Sequence, residues 1–278
     1  MTIERQSAAT VHRRFRGRKT INDWNAQQYD NFATPRQQAA HDLIAAVPER
    51  PMNAISDLGC GSGLSTQLLA DRWPGTTITG IDQSPDMLKA AAIRVPLGVF
   101  RQGNISNFAA HEPQDLIFAN ASLHWLADHR ILFPMLAKQL APQGILAVQM
   151  PNNLEEASHR LMAEVASRAP FAEHLNELST ERGALLSPKE YYDCLVPSCE
   201  TIRIWETHYH HVLDGPADIL HWFSSTGLKP YLDILPAGKR EDFARQYVKE
   251  LSHHYPLQSD GKVLLRLPRL FIVASRSA

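Results

Sequence analysis

Three glycines at alternate positions, Gly59, Gly61 and Gly63, sit in the run DLGCGSGLSTQLLADRW, and Asp82 follows at the end of TTITGID. Glycine permits positive φ and lets a ligand press against bare backbone. A helix starting behind such a loop offers free N–H groups and a partial positive end. A carboxylate at the end of the next strand, about twenty residues on, can accept both hydroxyls of a ribose. Each feature alone suits an ordinary turn or cap. In register with a strand–helix–strand pattern, they point to nucleoside binding. The dinucleotide fingerprint is G-x-G-x-x-G. Here the third glycine comes one residue early, which argues against a nicotinamide-dependent oxidoreductase, as does the lack of a Tyr-x-x-x-Lys pair: Tyr247 opens YVKE, with the wrong spacing.

The surrounding elements can position these residues. Short apolar strands are expected at AISDLG, TTITGID, VFRQGNI, DLIFANAS and GILAVQMP, with helices between them. Ser84 and Pro85 make a good helix start, as N-cap and first helical residue. Alternation from about residue 54 to 151 implies right-handed crossovers and a parallel sheet covered on both faces. After Pro151 the pattern changes to helices around two strands, TIRIWETHYHHVL and GKVLLRLPRLFIVASRS. The reading is a doubly wound, mostly parallel α/β sheet of seven strands. Insertions at about 152–200 and 214–262 would form a helical cap over the carboxyl ends of the strands, where ligands bind in open sheets.

At this point the residues resemble a known family. DLGCGSG is similar to the first motif of class I S-adenosylmethionine-dependent methyltransferases, and GIDQSPDML to the second. The resemblance implies S-adenosyl-L-methionine as cofactor, held by Asp57, Gly59, Cys60, Gly61, Gly63, Asp82, Gln83 and Met87, with Met87 against the adenine. GNI would bring Asn104 and Ile105 beside the adenine amine, and FANASLHWL would bring Asn120 and Trp125 to the methionine end. DWNAQQYDNF, LAVQMPNNLEEASH, STGLKPYL and LLRLPRLFIVA further resemble the trans-aconitate 2-methyltransferase family over roughly residues 22–275. That resemblance implies carboxyl O-methylation of a small polycarboxylate. A malonyl-carrier-protein methyltransferase shares part of the pattern and would want a basic docking patch; none is obvious after residue 150. A non-catalytic adenosylmethionine-binding regulator is a further alternative. His124 stands where glutamine is expected and Lys229 where arginine is expected, and lysine lacks arginine's two-pronged carboxylate contact.

A polyanionic substrate calls for cations, and Arg36, Lys229, Arg266 and Arg269 are the candidates, with Gln149 and Tyr209 as further substrate-binding residues. Tyr29, Trp125 and Trp24 are aromatic candidates for the sulfonium, since an aromatic face attracts a cation. Asn152 and His159 are additional polar candidates. No general base is expected, because a carboxylic acid with a pKa near ~4 is already ionised at neutral pH. No metal site is expected either: His208 and His210 share one strand face and His211 the other, too few ligands for a metal.

Bulk properties set the frame. The chain has 278 residues with 28 Lys and Arg against 29 Asp and Glu, so no global field favours nucleic acid or a membrane. No apolar run approaches the ~18 residues of a membrane span. Residues 1–21 are basic and read as a tail, and lack the apolar core of a secretory signal. Three cysteines, Cys60, Cys194 and Cys199, are too few for a disulfide framework and suit reduced thiols in a cytoplasmic protein, with a monomer favoured.

Overall fold

The computed structural model describes residues 33–176, 178 and 183–278. The basic segment 1–21, Trp24 and Tyr29 lie outside the described residues. Five strands run parallel: β1 (Ala54–Leu58), β2 (Thr77–Asp82), β3 (Val99–Gln102), β4 (Gln114–Asn120) and β5 (Leu140–Pro151). β6 (Cys199–Leu213) and β7 (Val263–Arg276) complete a seven-stranded sheet in the order β3-β2-β1-β4-β5-β7-β6, with β7 antiparallel to both neighbours. All five residues of β1 are buried, as expected of a parallel strand covered on both faces.

Strand alternation sorts the core into two layers. Ile55, Leu116, Phe118, Ile145, Ala147 and Phe271 face α1 (Ala33–Ala46) and α2 (Leu64–Arg72). Ile117, Ala119, Leu146, Val148 and Ile272 face the other way, against α4 (His129–Lys138) and α7 (Pro188–Leu195). Between α2 and α4 comes α3 (Pro85–Arg94), opened by Ser84, whose hydroxyl accepts the Met87 N–H, and by Pro85 in the first turn.

The β6–β7 pair outruns the rest of the sheet. β5 stops pairing at Pro151↔Arg269, but β6 and β7 continue to Leu213↔Val263. This two-stranded ribbon carries a third core. Val263, Leu265 and Leu267 pack with α5 (Ala157–Ala166), α6 (Ala172–Leu175), α8 (Pro216–Ser224), α9 (Lys229–Ile234) and α10 (Ala237–His254). The segment expected as a single cap insertion at 152–200 therefore divides. Its first part, through α6, joins the cap. Its second part, α7, returns to the sheet, where Tyr191 and Leu195 are fully buried against α4 and β6. A capping box at Ser187 and Glu190 starts that helix. Among the described residues no helix is long and apolar enough to cross a membrane.

Candidate active site

The loop after β1 is held from below. Gly59 N–H and Cys60 N–H donate to Ile81 O at 2.8 and 3.1 Å, and Gly61 N–H donates to Asp82 Oδ2 at 3.0 Å. Asp82 Oδ1 accepts Ser84 N–H at 2.9 Å. The carboxylate at the end of β2 thus fixes two backbone turns at the mouth. Gly59, Gly61 and Gly63 all have positive φ, yet each serves a different end. A Cβ on Gly59 would stand 2.3 Å from Ser122 Cβ, so the β1 and β4 loops meet there. A Cβ on Gly63 would stand 2.9 Å from Ala91 Cα, so α2 and α3 meet there. Among the described residues, a Cβ on Gly61 would meet nothing within 4 Å, and Gly61 lines the cavity.

Asp57 sits behind this loop, fully buried and away from the cavity wall. Its Oδ2 accepts Ser65 Oγ–H and Thr66 Oγ1–H at 3.0 and 2.7 Å, which pins the first turn of α2 to β1. Burial raises its pKa to about 6 against the lowering effect of those two hydrogen bonds.

The cavity, about 570 Å³, lies at the carboxyl ends of the strands on the face covered by α1. Strand order lays out its walls. β2 and the turn after it give Asp82, Gln83 and Met87; the β1 loop gives Gly59, Cys60 and Gly61; Ile105 adds an apolar contact. Asn120, Ser122, His124 and Trp125 follow from β4, and Gln149, Pro151 and Asn153 from β5 and its exit. β7 supplies Leu267 and Arg269, while α1 supplies Gln37 and Ala40. The cap closes the far side with His159, Arg160, Trp222, Phe223, Gly227, Lys229 and Tyr231. Among the described lining residues, one carboxylate, Asp82, stands at the glycine end, and three cations, Arg160, Lys229 and Arg269, stand at the cap end. Lys229 Nζ also pairs with Asp233 at 2.5 Å. His211, packed on Trp222, is held low, to about 4, by burial and by Arg269, so it adds no charge at neutral pH.

Several expected site residues are not brought to the cavity. Arg266 and Arg269 are three apart on β7, so they point to opposite faces. Arg266 bonds Glu156 at 2.5 Å and lies within 3.3 Å of the His208 ring. Tyr209 is on β6, one strand too far, and donates its hydroxyl to Asp42 Oδ2 of α1 at 2.5 Å. Asn104 is exposed and its Oδ1 caps the turn at Ser106 N–H, at 2.9 Å. Asn152 reaches Glu206 instead, and the next residue, Asn153, faces the cavity. Arg36 lies in α1, but its side chain is outside the described residues. The sequence reading missed Arg160, Asn153, Trp222, Phe223 and Gly227. Arg160 is one helical residue beyond His159, but it is exposed and lies opposite the buried stripe of Ser158, Leu161, Met162 and Val165, so the amphipathic pattern gave no signal for it. Among the described residues no group of three or more His, Cys, Asp or Glu side chains comes together.

The chain is similar to known proteins in sequence and in fold. Residues 56–148 match the model of a methyltransferase domain. Over 260 residues, covering 93% of this chain and 100% of the relative, the sequence is 44% identical to trans-aconitate 2-methyltransferase of Paracidovorax citrulli. It is 47% identical over 255 residues to the Methylobacterium nodulans protein of the same name, covering 92% of this chain and 99% of the relative. The chain belongs to the trans-aconitate 2-methyltransferase family. Solved structures add the fold. The YcgJ protein of Bacillus subtilis superposes with a TM-score of 0.57 at 15% identity, covering 87% of this chain and 99% of that one. Haemonchus contortus phosphoethanolamine N-methyltransferase 2, solved in complex with S-adenosyl-L-methionine, gives 0.55 at 15% identity, covering 91% of this chain and 57% of that one. At such low identity, what carries over to this family member is the fold alone.

Proposed function

We propose that this member of the family is an S-adenosyl-L-methionine-dependent carboxyl O-methyltransferase that forms a monomethyl ester of trans-aconitate. The observation that carries the reading is the polarity of the cavity, acid at the glycine end and cations at the cap end. The glycine end fits the donor. Gly61 presents bare backbone, Asp82 suits the ribose hydroxyls, and Met87 and Ile105 are apolar walls for a purine. When bound, the donor supplies a methyl group on a sulfonium. The cap end fits an anion with several carboxylates. Its three cations would hold the groups that do not react, and remote contacts of that kind fix position.

The protein's own task is alignment rather than proton transfer. A carboxylate is ionised at neutral pH, so no side chain need remove a proton. Holding the attacking oxygen in line with the methyl group can be worth roughly 7–11 kcal/mol. Trp222, Phe223, Leu267 and Tyr231 are apolar walls at the cap that keep water away from the reacting pair. Trp125 lines the cavity on the β4 side and is the aromatic candidate for the sulfonium.

The test is a transfer assay with methyl-labelled S-adenosyl-L-methionine and a panel of cis- and trans-aconitate, citrate, isocitrate and a malonyl-loaded carrier protein. Base-labile label on trans-aconitate is the expected result. Label on the carrier protein alone, or on none of the panel despite tight donor binding, would overturn the reading of the cap.

A further inference from the structure

Two amide side chains at the cavity floor have polar atoms that no other group among the described residues satisfies. Gln149 is fully buried, and neither its Oε1 nor its Nε2 has a hydrogen-bond partner. Asn153 is 3% exposed, and its Oδ1 is also without one. Asn120, in register with Gln149 on the neighbouring strand, has a fourth such atom, Oδ1. Buried polar atoms are paired in the large majority of cases, because a bare one costs stability. Three amides with bare atoms around one cavity point to a ligand that completes them.

Their place in the sheet says which part of the ligand. Gln149 stands between Asn120 on β4 and the strand that carries Arg269. Asp82 is three strands away, about 14 Å at ordinary strand spacing. The floor amides therefore lie where the glycine end meets the cap end.

Resting on the polycarboxylate reading above, we infer that Gln149 and Asn153 hold the carboxylate that is methylated, leaving Arg160, Lys229 and Arg269 for the carboxylates that are not. In the transfer, an oxygen lone pair forms the new C–O bond and the C–S bonding pair returns to sulfur. One negative and one positive charge disappear together, and no proton moves. A guanidinium on the attacking oxygen would stabilise the charge that has to vanish, so it would favour the ground state over the transition state. A neutral amide N–H orients the oxygen with a weaker grip. Gln149 is closed to water in the form described, and its contact forms as the side chain turns to the incoming carboxylate. The amide ends of Gln149 and Asn153 present N–H or C=O as the ligand requires.

Gln149→Leu and Asn153→Leu test this in the full chain. For Gln149→Leu, the melting temperature is expected to hold or rise, because an unsatisfied buried amide has gone. Donor affinity is expected to stay within about two-fold, since the donor's glycine wall is untouched, while kcat falls about 10- to 100-fold from lost alignment. The cations still hold the polyanion, so the ratio of ester positions in the product shifts. Unchanged kcat and ester position with only a raised KM would overturn the assignment, as would a melting point lowered by several degrees with full activity in the folded fraction. If Gln149→Leu does not fold, Asn153→Leu gives the same readout. A wild type that methylates no polycarboxylate removes the function and this assignment together. An active wild type with indifferent variants removes this assignment alone.

Discussion

At the scale of single residues, β7 sets two arginines against each other. Arg269 shares its strand face with Leu267 and reaches the cavity; Arg266 points the other way to Glu156. Arg269→Ala is expected to raise the substrate KM about ten-fold or more, since a charge-assisted contact is worth roughly 1.5–3 kcal/mol. Arg266→Ala is expected to leave KM within about two-fold and to cost under ~1 kcal/mol of stability, because that ion pair is part-exposed. Steady-state kinetics with a denaturation midpoint for each variant checks both, and a ten-fold KM effect at Arg266 would return it to the site. The type and spacing of these arginines were legible in the sequence, and so was strand alternation. The frame was not: parity says that the two oppose each other, but which face meets the cavity depends on α1 and the cap. The same limit explains Asn152 and Asn153. Both follow Pro151, and only the tertiary turn decides that Asn153 looks inward.

At the scale of elements, the glycine loop was the most legible part of the chain, because its demands are local. The three glycines nevertheless divide their work in a way that only packing reveals. Gly61→Ala places a methyl group in open cavity at a φ of +53, so the expected cost to stability is about 1–2 kcal/mol. Donor affinity should fall far more, because the bare backbone surface is lost. Gly63→Ala drives a methyl group onto the α3 backbone at Ala91, so its main effect should be a melting-point drop of several degrees. Calorimetric donor binding alongside thermal melts separates the two, and equal losses at both positions would refute the division. The end of the first cap segment was less legible. The pattern of LSPKEYYDCLV announces a half-buried helix, yet nothing in it says whether Tyr191 and Leu195 pack on the cap or on the sheet. The structure puts them against α4.

At the scale of the whole molecule, Asp57 couples stability to pH. Its folded pKa of about 6 lies above the ordinary 3.8, so folding favours the protonated acid. That contribution is present in full below about pH 4 and is lost as pH rises through about 6, and the rise corresponds to about 3 kcal/mol. Asp57→Asn keeps an acceptor for Ser65 and Thr66 without the charge. The stability of this variant relative to wild type should therefore climb between pH 4 and 6, as measured by urea denaturation across that range. A difference that stays constant with pH would rule out Asp57 as the cause. The seven-strand α/β class itself was readable from alternation and strand count, since parallel strands need crossover helices. The order in which the last two strands enter was not, because no local signal says that β7 slots between β5 and β6. That order matters to a chain leaving the ribosome. Until residues 263–276 emerge, β5 keeps a bare edge and β6 has no strand to join. If the proposed division of the cavity holds, the glycine-loop side can form before the cap side has a strand to hang on, and an open edge of that kind is a place for chaperones to cover.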